Sequence, residues 1–171
     1  MRTDNYKFTW SNIGDIEFGR PNLGNQTNVA IYRLMQYSLR SVLNNQLGGL
    51  RAAALFYQAG FLAGTEFCKN RLDVNRSFPE FISQLQNQLK ELNIGILRIE
   101  ESDLEKLELT IVVSEDLDCS GLPVTDETVC DYDEGFLAGI LNVYTGKEFH
   151  VKEIDCWSKG DRVCRFKAKT L

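Results

Sequence analysis

The sequence holds a single histidine, His150, and no G-x-S-x-G, P-loop or G-x-G-x-x-G pattern. These absences leave a serine hydrolase, nucleotide binding through a P-loop and a Rossmann cofactor without support. His150 falls in an alternating strand pattern, where a lone histidine is usually solvated or simply packed. No apolar run approaches the ~18–20 residues that a membrane span needs. The polar opening MRTDNYKF does not read as a signal peptide. The expectation is a cytoplasmic protein whose five cysteines stay reduced.

What is present suits one soluble domain with a real core: 171 residues, 43% hydrophobic and 25% charged. The net charge is −5, and between Arg98 and Glu134 thirteen acidic residues stand against two basic ones. Such a surface repels phosphate backbones, so no nucleic-acid partner is expected. Basic residues gather only in the last strand pattern, Lys147 to Lys169, which reads as an edge strand guarded against pairing with other chains.

Residues 1–26 carry Phe8, Trp10 and Phe18 among turn-forming signals and read as an irregular arm, with at most one short strand. From Thr27 a helical period follows, with Ile31, Leu34, Met35, Leu39, Val42 and Leu43 on its apolar stripe, Thr27 or Asn28 as cap and Gly48-Gly49 as stop. A second helix runs from Leu50 to about Cys68, its stripe formed by Leu50, Ala53, Ala54, Tyr57 and Phe61. A third opens with the capping box Ser77-Phe78-Pro79-Glu80 and closes at Asn93 to Gly95. Two alternating runs, Ile94 to Glu100 and Leu107 to Val113, pair as antiparallel strands. A polar connection from Ser114 to Glu127 leads to a helix ending near Thr145 and then to a final hairpin. Helices followed by strands predict an α+β fold, with N-terminal helices packed on one face of a four-stranded antiparallel sheet. Residues 27–171 are read as a single domain.

One octapeptide pattern occurs twice, 75 residues apart: Tyr57-Gln58-Ala59-Gly60-Phe61-Leu62-Ala63-Gly64 and Tyr132-Asp133-Glu134-Gly135-Phe136-Leu137-Ala138-Gly139. Each copy gives its helix a ridge of glycine. Glycine inside a helix costs ~1 kcal/mol against alanine, so close helix packing is the expected compensation.

The stretch from Cys130 to Cys164 carries the chemistry. Asp131 with Glu134, or Thr128 with Asp131, starts a helix that places Cys130 at its N-terminal end, where the exposed amides favour a thiolate. KEFHVKEIDC and RVCRFKAK alternate as two strands joined by Trp157 to Asp161, so Cys156 and Cys164 face each other at the turn end of a hairpin. Glu153 shares their face only if the strand bulges near Asp155. Three thiolates and a carboxylate suit a closed, four-coordinate structural zinc site. Buried apolar thiols, or a disulfide between Cys156 and Cys164, are the alternatives that spacing leaves open.

A cysteine before Gly135-Phe136-Leu137-Ala138-Gly139, then Glu153-Ile154-Asp155-Cys156, then Gly160-Asp161-Arg162-Val163-Cys164-Arg165-Phe166 resembles the 4-vinyl reductase domain over about residues 108–168. The resemblance implies that Cys130, Glu153, Cys156 and Cys164 ligate zinc. It also implies an apolar pocket for a small hydrophobic or aromatic ligand, with Phe56, Tyr57, Phe61, Phe67, Phe78, Phe81, Leu109, Ile111 and Phe136 as candidate wall residues. In relatives that sense aromatics, a tryptophan and a histidine upstream of the first zinc cysteine orient a phenolic hydroxyl. Here no Trp or His lies between Trp10 and His150, and Ser114 and Cys119 occupy the corresponding region.

The expectation is a zinc-stabilised sensor-type domain, a binding protein rather than an enzyme. It would form a homodimer through its arm and first helices and signal to a separate output protein. The alternatives are an assembly module resembling the small subunits of TRAPP vesicle-tethering complexes, and a tetrapyrrole or vinyl reductase.

Overall fold

The computed structural model describes residues 6–171, so the first five residues of the expected arm lie outside it. Residues 10–13 form a turn of 3-10 helix, and α1 is the single turn Ile16–Gly19. The arm therefore holds two helical turns where a short strand was allowed for. Trp10 anchors it: its backbone N–H donates to Glu66 and its ring meets Phe67 edge-on, 6.5 Å between centroids. Phe18 stays exposed.

Three long helices follow. Helix α2 is Val29–Leu47, begun by the Asn28 side chain accepting from the Ala30 N–H and ended by Gly48 at φ +83°, a conformation that favours glycine. Helix α3 is Gly49–Arg71, and α4 is Phe78–Glu91 with the predicted capping box, Ser77 and Glu80 satisfying each other's backbone. Strands β1, Ile96–Asp103, and β2, Glu108–Ser114, make the first hairpin. Helix α5, Asp131–Thr145, has three acidic residues in its first turn, where the helix dipole favours them, and stops at left-handed Gly146. Strands β3, Phe149–Asp155, and β4, Cys164–Thr170, close the chain.

The sheet is antiparallel in the order β1-β2-β4-β3. Its inner face, including Leu97, Leu109, Ile111, Val151, Phe166 and Ala168, packs on α4 and α5, and its outer face carries charged side chains. The α+β class and the packing on one face are as the sequence predicted. The basic strand β4 is not an edge: it lies between β2 and β3, and its cations pair with acids, Lys167 with Glu101 and Arg165 with Glu100 and Asp155.

Helices α3 and α5 cross with almost no side chain between them, and the repeated octapeptide is the reason. A Cβ placed on Gly60 would lie within 2.9 Å of Phe136 N and closer still to Tyr132 O, while one on Gly135 would lie 2.8 Å from Phe61 N and closer still to Tyr57 O. Gly64 and Gly139 repeat the reciprocity one turn later, against Phe136 and against Phe61 and Thr65. The two copies are the two halves of one pseudo-symmetric helix crossing.

Two stripes depart from the sequence reading. On α2 the periodic apolar residues face outward, Leu34 being 66% exposed, and the polar face is buried, Gln36 being 4% exposed. On α3 the inward residues are Ala52, Phe56, Gly60, Gly64, Phe67 and Cys68, whereas Leu50 is 92% exposed. In each case the helix was placed by its contacts with partner groups that are distant in sequence, which periodicity alone does not register.

Candidate metal centre and apolar cavity

Cys130 is the residue before α5, so the α3–α5 crossing fixes its position. β3 carries the bulge that the Glu153–Cys156 spacing requires: its register against β4 shifts between Glu153 and Asp155. Beyond it, the 3-10 turn Trp157–Lys159 and left-handed Gly160 fold the chain back, with Asp161 accepting from the Cys156 N–H. Cys156 and Cys164 thereby face Cys130. A fourth thiol, Cys119, reaches the same point from the β2–α5 connection.

The four sulfurs are buried and reduced and lie within 4.8 Å of one another. Cys130 Sγ is 3.9 Å from Cys156 Sγ and 3.8 Å from Cys164 Sγ, and Cys119 Sγ is 3.0 Å from Cys164 Sγ. A tetrahedron of zinc–sulfur bonds near ~2.3 Å has edges of about 3.8 Å, so two of these separations already match it. Four buried thiols cannot all ionise without a cation. Their mutual hydrogen bonds drive the Cys156 thiol down from its usual range and push Cys130 and Cys164 up. The donor chemistry fits a thiophilic ion.

Glu153 lies beside the cluster. Its Oε2 accepts from the Cys130 N–H at 3.1 Å, while Oε1 is buried without a hydrogen-bond partner. Burial, then the neighbouring Cys156, raises its carboxyl to about 8. Glu134, in the first turn of α5, ties the helix to β3 by accepting from the Glu153 N–H and from Lys152 Nζ.

The Cys119 turn is organised from both sides. Asp116 Oδ1 accepts from the N–H groups of Asp118 and Cys119, and the polar face of α2 grips the rest. Tyr32 and Gln36 donate to the Asp118 carboxylate, Tyr37 to the Asp118 carbonyl, and Arg33 to the carbonyls of Asp116, Leu117 and Ser120. Burial and the Asp118 charge push Asp116 up to about 7. Farther along α2, Arg40 pairs with Asp131 at 2.8 Å, donates to Val129 O and lies over the Phe56 ring.

The proposed wall residues do not gather in one place. Phe78 and Leu109 line a cavity of about 180 Å³ together with Leu104, Leu107, Leu141, Tyr144, Thr145 and Phe149. Phe81 stacks on Tyr144 at the edge of that region, 3.9 Å between centroids. Phe67 and Phe136 pack together, and Tyr57 and Phe61 belong to the α3–α5 crossing. Ile111 is core beneath the sheet, and Phe56 sits under Arg40. A larger hollow of about 620 Å³ lies on the outer sheet face among Glu101, His150, Lys152 and Lys167 and is charged.

This arrangement has known counterparts. Residues 109–170 match the 4-vinyl reductase domain. All four clustered cysteines and α5, β3 and β4 fall in the matched segment, which opens one residue into β2; α1 to α4 precede it. Two uncharacterized proteins of Methanocaldococcus jannaschii are similar over most of their length. One is 27% identical, covering 87% of this chain and 81% of that protein, and the other 24%, covering 86% and 78%. Among solved structures, the phenol-responsive sensory domain of the transcription activator PoxR, with phenol, superposes at a TM-score of 0.69 with 18% identity, over 84% of this chain and 75% of that one. A vinyl-4-reductase family protein from Methanocaldococcus jannaschii gives 0.63 at 18% identity over 99% of both chains. A trafficking protein particle complex subunit 3 from Naegleria fowleri, covalently bound to palmitic acid, gives 0.60 at 13% identity over 84% and 97%. These likenesses establish the shared fold. No helix among the described residues is long and apolar enough to cross a membrane.

Cys119, read in the sequence only as occupying the region of the aromatic-sensing residues, is the member of the cluster that sequence reasoning did not place with the other three. It lies in a polar connection with no periodicity, eleven residues before Cys130, and the one available signal was that four of the five cysteines fall in the last 53 residues.

Proposed function

We propose that this chain is a zinc-stabilised, sensor-type domain that binds a small apolar aromatic molecule and passes the binding event to a separate protein. The observation that carries the reading is the cavity of about 180 Å³ between α4, α5 and the β1–β2 hairpin, walled by leucine and aromatic side chains. A dry cavity of about 150 Å³ with comparable walls accepts benzene. The hydroxyls at its wall donate elsewhere, Tyr144 to Arg76 O and Thr145 to Leu141 O, so neither has a hydrogen for a phenolic oxygen, and the remaining wall is leucine and phenylalanine, which favours an unsubstituted or alkyl-substituted ring over a phenol. Likeness to the PoxR sensory domain supports the class of function; the departure lies in the polarity of the ligand.

The test is thermal stability of the zinc-loaded chain across benzene, toluene, indole and phenol. A ligand present at a hundred times its Kd stabilises by about 2.7 kcal/mol. Benzene or toluene should raise Tm, and Leu104→Trp, at the half-exposed mouth of the cavity, should abolish the rise. No shift with any of the four while zinc is retained would overturn the reading.

Zinc in this proposal is structural and supplies folding free energy. Cys130, Cys156 and Cys164 would hold it, supported by the match between their sulfur separations and a tetrahedral edge. Elemental analysis should find one zinc per chain, lost in Cys164→Ser. A homodimer completes the reading. Ile31, Leu34, Met35, Leu39 and Val42 form an exposed apolar stripe along α2, a surface suited to a second copy. Native mass should report a dimer, and Leu34→Glu with Met35→Glu should yield monomers.

A further inference from the structure

The family resemblance assigns Glu153 as the fourth metal donor. The geometry points to Cys119 instead: we propose that the metal is held by Cys119, Cys130, Cys156 and Cys164, with Glu153 outside its coordination. This rests on the metal reading above and adds the donor set.

Three observations carry it. The four Sγ atoms are mutually within 4.8 Å, and Glu153 belongs to neither group of three or more donors that meets this limit among the described residues. Glu153 Oε2 is committed to the Cys130 N–H, a contact that orients a ligand from outside. The Cys119 turn is also built rather than loose, with Asp116 Oδ1 accepting two of its backbone N–H groups and Arg33 holding three of its carbonyls. The rival donor is Glu153 Oε1, which is buried and unpartnered, so the experiment must separate sulfur from oxygen.

An all-thiolate site has a structural consequence that the three-thiolate site lacks. Cys119 makes the metal a clamp between the β3–β4 hairpin and the turn on which α2 docks. The buried polar face of α2 is then held indirectly by the ion.

The deciding experiment is zinc-edge X-ray absorption on the full chain loaded with one equivalent of zinc, for the wild type and for Cys119→Ser and Glu153→Gln, with zinc affinity measured by chelator competition. The expected wild-type spectrum has four zinc–sulfur distances near ~2.3 Å and no oxygen at about 2.0–2.2 Å. Glu153→Gln should keep that spectrum and lose about ten- to a hundredfold in affinity, whereas Cys119→Ser should lose a sulfur and bind more weakly still. Three sulfurs and one oxygen, with the oxygen lost in Glu153→Gln, would overturn the donor set while leaving the zinc reading intact. No bound zinc in the wild type would overturn both. The wild-type spectrum decides the matter even if Cys119→Ser fails to fold.

Discussion

Substituting Gly135 by alanine tests the claim that α3 and α5 meet backbone to backbone. The added methyl would sit 2.8 Å from Phe61 N and closer to Tyr57 O, against an ordinary carbon contact of about 3.5–4.0 Å. Neither obstacle is a side chain that can rotate away, so the helices must separate by on the order of 1 Å or more. Overpacking of this kind costs about 1–3 kcal/mol, and a rigid backbone wall places it at the upper end. Alanine returns up to ~1 kcal/mol in helix propensity. The net loss is about 2 kcal/mol, or a Tm lowered by about 4–8 °C for a chain of this size. Chemical denaturation of the zinc-loaded chain measures the first number and a thermal scan the second. Gly49→Ala, in the first turn of α3 with open space around it, is the control and should lie within about 0.5 kcal/mol of the wild type. Gly60→Ala should cost about as much as Gly135→Ala. Because both demand the same separation, the double variant should cost less than the sum by about 1 kcal/mol. A Gly135→Ala chain as stable as the wild type would refute the close crossing.

Arg40→Ala should destabilise by about 3 kcal/mol in a denaturant titration, because it leaves a largely buried Asp131 without its cation and removes the contact with Phe56. Arg33→Ala should speed amide hydrogen exchange across residues 116–120, where it holds the carbonyls of Asp116, Leu117 and Ser120, and leave exchange in α4 unchanged. Cys164→Ser should lower Tm far more than Cys68→Ser, because Cys68 is a buried thiol outside the cluster; equal effects would remove the case for a metal centre.

Local chemistry made much of the fold legible. The Ser77–Glu80 capping box, the Asn28 cap and the Gly48 stop each act over a few residues, and each was found where the sequence placed it. The β3 bulge was legible for another reason: a three-residue spacing between Glu153 and Cys156 cannot share a strand face without one. The inward direction of α2 was not legible. Its apolar stripe is the stronger periodic signal, yet its polar side chains find Asp118 and the Asp116–Ser120 carbonyls more than 80 residues away, and nothing local announces those partners. Cys119 was hidden by the same distance. The glycine repeat showed that two backbones must come close but not that they meet each other, since a ridge does not name its groove.

The seating of α2 also bears on how the molecule opens. A helix held by an apolar face must expose that face to undock, and the loss scales with area. α2 is held largely by hydrogen bonds from Tyr32, Arg33, Gln36 and Tyr37 and by the Arg40–Asp131 pair, and those that involve a charged group are each worth about 1.5–3 kcal/mol net. Its apolar stripe is already in solvent in the single chain and opposes nothing. The undocking of α2 is therefore set by a countable number of polar bonds rather than by buried apolar area.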